Sequence, residues 1–521
     1  MTILPRKISP AWIVALISLP IFIGALDLTV VSAVLPHVIY DLELPFQTGM
    51  DDASWMVSGY LLAYTIAMTF MGKLSDILGR RKAYLIALAV FAFGSYLVAV
   101  AETWPTSLAL KFFYQFFSGR PDVSMITLYI LIGGRMVQAF GGGAMVPVGM
   151  ALVGDLYAPE KRARPLSIIA AFDTGGWVIG HLYGGVITRY FTWKLIFWLN
   201  IPFCIIAFVL IAWALKGVIS QIEKIRMDWL GTLLVTLALS FLNIGLGSSE
   251  GSFSTTIATE SSGLPPYAIP FLIISIVFLG LFIWRQAKAR YPLIPLQLFK
   301  NRNFTAASLA NFLIGVSLFI AIANVPLFIN TVTANTIEEA SWDSGWMLCA
   351  LTIPMAFATI PGGWLTEKKG YRLPAILGVL IGVAGFAILT SWKADTPYRM
   401  MVPQLMLTGI GLGLTMAPIT TAVVNAAPEE FRGISSALVI IFRLIGMTVG
   451  VSGMTTYGLH RAEYLSELWL QGSTDLQTIY EVAIRSAVQV ISEIFLIAGI
   501  VCLLAVIPVL VIRNMNMREN N

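Results

Sequence analysis

Charge is what this 521-residue chain has least of: Asp, Glu, Lys and Arg make up 12% of it, about half the share usual in soluble domains. So little charge cannot coat a water-soluble core of this size. Histidine is scarcer still. His37, His181 and His460 are scattered along the chain, so no metal-ligand spacing appears. There is no Walker loop and no phosphate-binding glycine turn, which argues against an enzyme and against nucleotide or metal cofactors. A net charge of +5 is too mild to suggest nucleic acid as a partner. Cys204, Cys349 and Cys502 each lie inside an apolar run, where they read as packing residues and not as a disulfide or metal set.

What the chain has in excess is hydrocarbon. It is 57% hydrophobic, its mean hydropathy is +0.82, and apolar spans of bilayer length recur from end to end. One multi-spanning helical bundle with short loops follows, and the usual scaling of domain count with length does not apply. The pattern predicts fourteen helices, over residues 11–35, 53–72, 83–101, 124–149, 166–187, 195–215, 230–247, 267–284, 304–329, 344–365, 374–392, 399–424, 434–457 and 490–512. The first run follows Arg6 and Lys7 as a signal peptide would, but it is too long, lacks a small-residue cleavage site and carries Asp27.

Lys and Arg fall mainly on alternate loops, around Lys73–Lys82, Lys161–Arg164, Arg285–Arg302 and Lys368–Arg372. The positive-inside rule then places these turns and both termini in the cytoplasm of a cell-membrane protein. On the outer side, residues 248–266 read as a flexible Ser/Thr/Gly loop. Residues 458–489, with Tyr464, Leu468, Trp469 and Tyr480, read either as a short amphipathic helix on the outer surface or as an ordered cap.

One turn occurs twice. Gly72-Lys-Leu-Ser-Asp76-Ile-Leu-Gly79-Arg80-Arg81 is repeated in register, 291 residues on, by Gly363-Trp-Leu-Thr-Glu367-Lys-Lys-Gly370-Tyr-Arg372. A charged turn copied between two apolar halves is the mark of a duplicated transporter whose halves rock about a central site.

These motifs resemble the major facilitator superfamily, in its fourteen-helix drug:proton antiporter branch. Leu26-Asp27-Leu-Thr29-Val-Val31-Ser-Ala33-Val-Leu35-Pro36 is similar to the branch's first-helix pattern. Arg135-Met-Val-Gln138-Ala-Phe-Gly141 is similar to its R-x-x-Q-G-x-G, with Ala139 for the first Gly. Trp193-Lys-Leu-Ile-Phe197-Trp-Leu-Asn200-Ile-Pro202 resembles its entry to helix 6, and Asp228-Trp229-Leu230-Gly231 its opening of helix 7. The resemblance implies an all-α membrane protein of major facilitator fold. It implies six-helix bundles at 1–215 and 304–521, joined by a linker with two inserted helices at 216–303. Gly433 to Met447, followed by Glu493-Ile-Phe, is similar to mycobacterial lipid and multidrug exporters of that branch that work beside a lipoprotein. That implies proton-driven export of hydrophobic or amphipathic cargo, lipid favoured over drugs, with a lipoprotein as an outer-face partner. An uptake symporter and a non-transporting scaffold are the remaining alternatives.

Asp27 is the leading residue for proton coupling. At about 1.5 Å per residue it lies roughly 24 Å into a ~30 Å core. An ionised carboxylate there must face a wet cavity, pair with a cation or take up a proton. On this reading deprotonated Asp27 receives substrate or a cation. Asp173 precedes Gly176-Trp-Val-Ile-Gly180-His181-Leu-Tyr-Gly184-Gly185, which resembles the antiporter signature G-x-x-x-G-P-x-x-G-G with His181 in place of Pro. Its glycines offer a smooth stripe for close helix contact, and Asp173 shares that face. His181 reads as packing or as a further titrating group. Arg443, mid-membrane, requires Asp27 or Asp173 as its partner. Arg135 matches the superfamily arginine linked to proton transfer. For Gly72, Asp76, Gly79, Arg80 and Arg81 the resemblance implies a conformational latch, with Asp76 held against a helix N-terminus while the inner gate is closed.

Overall fold

The computed structural model describes residues 9–44, 46–116, 119–216, 227–247, 268–333, 337–470 and 475–514; the Ser/Thr/Gly stretch 248–266 lies outside them. Among the described residues there are sixteen α-helices and no strand. They are α1 (Pro10–Asp41), α2 (Phe46–Leu78), α3 (Arg80–Ala99), α4 (Trp104–Phe116), α5 (Val123–Leu156), α6 (Ala163–Tyr190), α7 (Lys194–Ala214) and α8 (Trp229–Gly247). There follow α9 (Ala268–Lys288), α10 (Arg302–Phe328), α11 (Ile337–Lys369), α12 (Arg372–Leu389), α13 (Tyr398–Ala426), α14 (Arg432–Leu470), α15 (Leu476–Leu504) and α16 (Val506–Val511).

Twelve described segments are long and apolar enough to cross a bilayer. Helix α6, with Asp173 and its glycines, and α8 fall short of that measure. Apolar side chains such as Ile205, Val209 and Trp213 face outward on α7, which suits hydrocarbon and not water. The chain is a multi-pass membrane protein.

Helices α1–α3 and α5–α7 pack among themselves, as do α10–α15. The two groups meet where α2 crosses α14 and α6 crosses α11, and α5 also reaches α14. Helices α8 and α9 pair with each other, and α8 docks on α2 and α14. Asp228 ties that pair together, accepting from Gly231 N at 3.1 Å, Arg285 Nη2 at 3.1 Å and Gln286 Nε2 at 3.1 Å.

Two expectations of the sequence need correcting. Helix α2 runs through Asp76 to Leu78 and α3 starts at Arg80, so the first repeated motif is the end of one helix and the start of the next, with Gly79 between them, and not a loop. The described parts of the 458–489 segment, 458–470 and 475–489, form neither a separate short helix nor a loop. They belong to the end of α14 and the start of α15, which pack together through Arg461 Nε–Glu493 Oε2 at 2.9 Å and Arg485 over the Trp469 ring at 4.4 Å. At 39 residues, α14 is roughly 58 Å long, nearly twice a ~30 Å hydrocarbon core.

Candidate functional site

Both repeated turns end on a glycine in the left-handed region, Gly79 at φ 84° and Gly370 at φ 79°, where a side chain would be strained. Each glycine lets one helix stop and the next start at once, so the preceding acid is aimed at a fixed place. Asp76 Oδ1 accepts from the backbone N–H of Gly433 at 3.2 Å, in the first turn of α14, and pairs with Arg80 Nη1 at 2.6 Å. Arg80 Nε reaches Asp155 Oδ2 at 3.0 Å, and Asp155 Oδ1 takes Arg432 Nη1 at 3.2 Å. The chain of charges thus runs from α2 through α3 and α5 to α14.

The second copy is built on the same plan from more neutral parts. Glu367, 291 residues after Asp76, accepts from the backbone N–H of Arg164 at 3.2 Å near the start of α6 and pairs with Arg164 Nε at 2.7 Å. Tyr371 stands where Arg80 does, and its hydroxyl accepts from Asn425 Nδ2 at 2.9 Å. Asn425 Oδ1 takes Arg162 Nη1 at 2.8 Å. Burial, and next the Arg432 charge, pull the Arg162 guanidinium down to about 10, so it remains charged at neutral pH.

Helix spacing makes the seams possible. A Cβ at Gly72 would stand 2.9 Å from Ala437 Cβ, and one at Gly433 would strike Gly72 O. Arg81, expected in the latch, is not in it: its Nη2 donates to Ala212 O at 2.9 Å, closing the end of α7. Asp155 and Asn425 were not anticipated. Their signal is the pair Ala158-Pro159-Glu160 and Ala427-Pro428-Glu429, which ends two corresponding helices.

Asp27 is fully buried and of the three options takes the cation: it pairs with Arg135 Nη1, and Arg135 Nη2 donates to its backbone carbonyl at 3.1 Å. Gln138 Nε2 donates to Asp27 Oδ1 at 3.0 Å and to Ser95 Oγ at 2.7 Å, and Asn200 Nδ2 donates to Asp27 Oδ1 at 3.2 Å. The Tyr60 ring covers the Arg135 guanidinium at 4.1 Å, a favourable arrangement for a desolvated cation. Residues of the R-x-x-Q and N-x-P motifs thus converge on one carboxylate, while no pattern marked Ser95 or Tyr60. Sealed in this way, Asp27 holds a cation, one of the two occupants the sequence reading allowed it.

The central cavity belongs to Asp173. Its Oδ2 accepts from Arg443 Nη2 at 3.0 Å, both side chains being less than a tenth exposed, and this pair joins α6 to α14. Of the two partners open to Arg443, it takes Asp173. Trp177, Leu318, Ile322, Leu348, Met355 and Met447 are among the residues that line a narrow space with the pair, and Asp27 is outside that lining. As it stands, the cavity has room for at most a few waters. Gly176 and Gly180 hold α6 against α1: a Cβ on Gly176 would strike Phe22 O and Ala25 Cβ, and one on Gly180 would strike Leu26 O and Thr29 Oγ1. Gly184 is buried. Gly185 corrects the expectation for the stripe, because it is exposed and a Cβ there would meet nothing within 4 Å. Among the described residues no cluster of His, Cys, Asp and Glu is arranged to hold a metal.

Comparison with known proteins bears on this geometry. The family model described as Major Facilitator Superfamily matches residues 17–451. The chain is 31% identical over 507 residues to a probable triacylglyceride transporter of Mycobacterium leprae, covering 94% of this chain and 93% of that one. It is 30% identical over 475 residues to a triacylglyceride transporter of Mycolicibacterium hassiacum, covering 89% and 82%. Among solved structures it superposes on the human organic anion transporter MFSD10 with TM-score 0.57 at 13% identity, over 95% of this chain and 100% of that one. It superposes on a proton:xylose symporter with TM-score 0.55 at 15% identity, over 94% and 95%. At such identities the likeness to both structures is one of fold.

Proposed function

This chain belongs to the Major Facilitator Superfamily and is a transporter, and from that premise we propose that it exports apolar lipid, driven by protons, through alternating access. The observation that carries the proposal is the Asp173–Arg443 pair. It is an ion pair that bridges the two helix groups inside a mostly apolar cavity. Buried charges of this kind are stable only together. A proton taken up from the outer side by Asp173 removes the carboxylate charge, frees Arg443 and lets α6 and α14 part toward that side, where the lipid leaves. When the proton leaves, the pair re-forms and the cavity closes.

Residues 1–215 and 304–521 act as the two rocking bundles, with 216–303 supplying a thirteenth and fourteenth span. The end that bears the repeated turns, and both termini, face the cytoplasm of the cell membrane, so the closed latches at Asp76 and Glu367 describe a shut inner gate. Asp27 and Arg135 form a second, internal charge store, in which a proton on Asp27 loosens α1 from α5. One charge moving through 100 mV is worth about 2.3 kcal/mol, enough for roughly fifty-fold accumulation of cargo.

The names of the relatives and the apolar lining support lipid as cargo. The same lining favours a second reading, efflux of apolar drugs. Proteoliposomes with an imposed pH gradient test both: lipid is expected to leave the compartment opposite to proton flow, and an ionophore to stop it. Lipid movement indifferent to the gradient would reject proton coupling, and co-directional movement would make the protein an uptake symporter. Drug flux without lipid flux would establish the second reading.

A further inference from the structure

The donors around the central cavity are poorly used. The Trp177 indole Nε1 is buried and has no acceptor among the described residues. The Thr174 hydroxyl donates to the Met416 sulfur at 3.7 Å, and Arg443 Nη1 donates to the same sulfur at 3.3 Å. A thioether is a weak acceptor, and it here receives a hydroxyl from α6 and a guanidinium from α14. All four residues border the cavity. The other hydroxyl groups there are committed to backbone: Thr29 Oγ1 donates to Trp177 O at 2.9 Å and Thr352 Oγ1 to Leu348 O at 2.6 Å.

Three donors with poor acceptors or none, set among Leu, Ile and Met, describe a ligand with an apolar body that accepts hydrogen bonds and donates none. Hydrocarbon alone would leave the donors unmet, and a site of this kind rejects an analogue that lacks the matching group. A free carboxylic acid would bring a charge or a donor of its own. The geometry points to a subsite for ester carbonyls: Trp177 Nε1, the Thr174 hydroxyl and Arg443 Nη1 take the carbonyl oxygens of an acyl ester lipid as the cavity widens. Met416 holds Thr174 and Arg443 until then. This rests on the lipid reading above and narrows its cargo to ester-linked acyl lipid.

The test is transport of trioleoylglycerol against its tri-ether analogue, which has the same chains and no carbonyl, in gradient-loaded proteoliposomes. Wild-type protein is expected to move the ester at least tenfold faster. Trp177→Phe, which keeps an aromatic ring and removes the N–H, should cut the ester-to-ether ratio about fivefold, the worth of one uncharged hydrogen bond. Thr174→Val is a second variant of similar shape with the same expected direction. Equal wild-type rates for the two lipids, or a ratio that neither variant alters, would overturn the subsite while leaving lipid export intact. Movement of neither lipid would overturn the lipid reading and the subsite with it.

Discussion

Asp76→Asn is the perturbation whose consequence the geometry fixes most tightly. The substitution keeps the shape of the side chain and removes its charge. Across the seam it turns a charge-assisted bond to Gly433 N, 3.2 Å long, into a neutral one, a loss of about 1–2 kcal/mol. It also removes a negative charge from the positive start of α14, worth another ~0.5–1 kcal/mol. Arg80 keeps Asp155 as a partner, so no orphaned cation confuses the result. A total of about 1.5–3 kcal/mol moves the closed-to-open ratio by roughly 10- to 150-fold toward the open inner gate. Nitroxide labels on the exposed Lys82 and Glu430 would report it by pulsed electron resonance, and the native cysteines, all buried, need not interfere. A longer distance should gain population by about that factor. A distance distribution identical to that of wild-type protein would refute the latch.

Further outcomes follow from the same contacts. Asp27→Asn should abolish export driven by a pH gradient while the protein still folds, with a lower melting temperature. Arg135 would be left in a fully buried site without its counter-charge, at a cost of about 3–5 kcal/mol. Gly176→Leu should reduce the yield of monodisperse protein on size-exclusion chromatography, because its Cβ has no room beside Phe22 O and Ala25 Cβ. Gly185→Ala, which faces open space, should match wild-type protein in the same measurement.

Much of this was legible in the sequence, and the reason differs from element to element. The repeated turns could be read because a left-handed glycine and a fixed acid leave a rigid spacing at Gly72–Arg81 and Gly363–Arg372. The partners of Asp27 lie in motifs that are themselves visible, around Arg135, Gln138 and Asn200. What spacing cannot show is which distant groups meet. The separation of Asp27 from Asn200 is 173 residues and of Asp173 from Arg443 is 270, so the partner of Arg443 had to be seen. Asp155 and Asn425 escaped notice because each is a lone polar residue at the end of an apolar helix. The paired ends of α14 and α15 were misread because aromatic and charged residues alternate there at helical spacing, and a protruding helix and a surface-lying one share that pattern.

The central claim is that loss of charge on Asp173 unlocks the cavity, and lipid flux through Asp173→Asn protein in proteoliposomes tests it most directly. Such protein, fixed in the neutral form, should still exchange lipid down its own gradient but show no response to an imposed pH gradient. Export that still follows the pH gradient at the wild-type rate would contradict it.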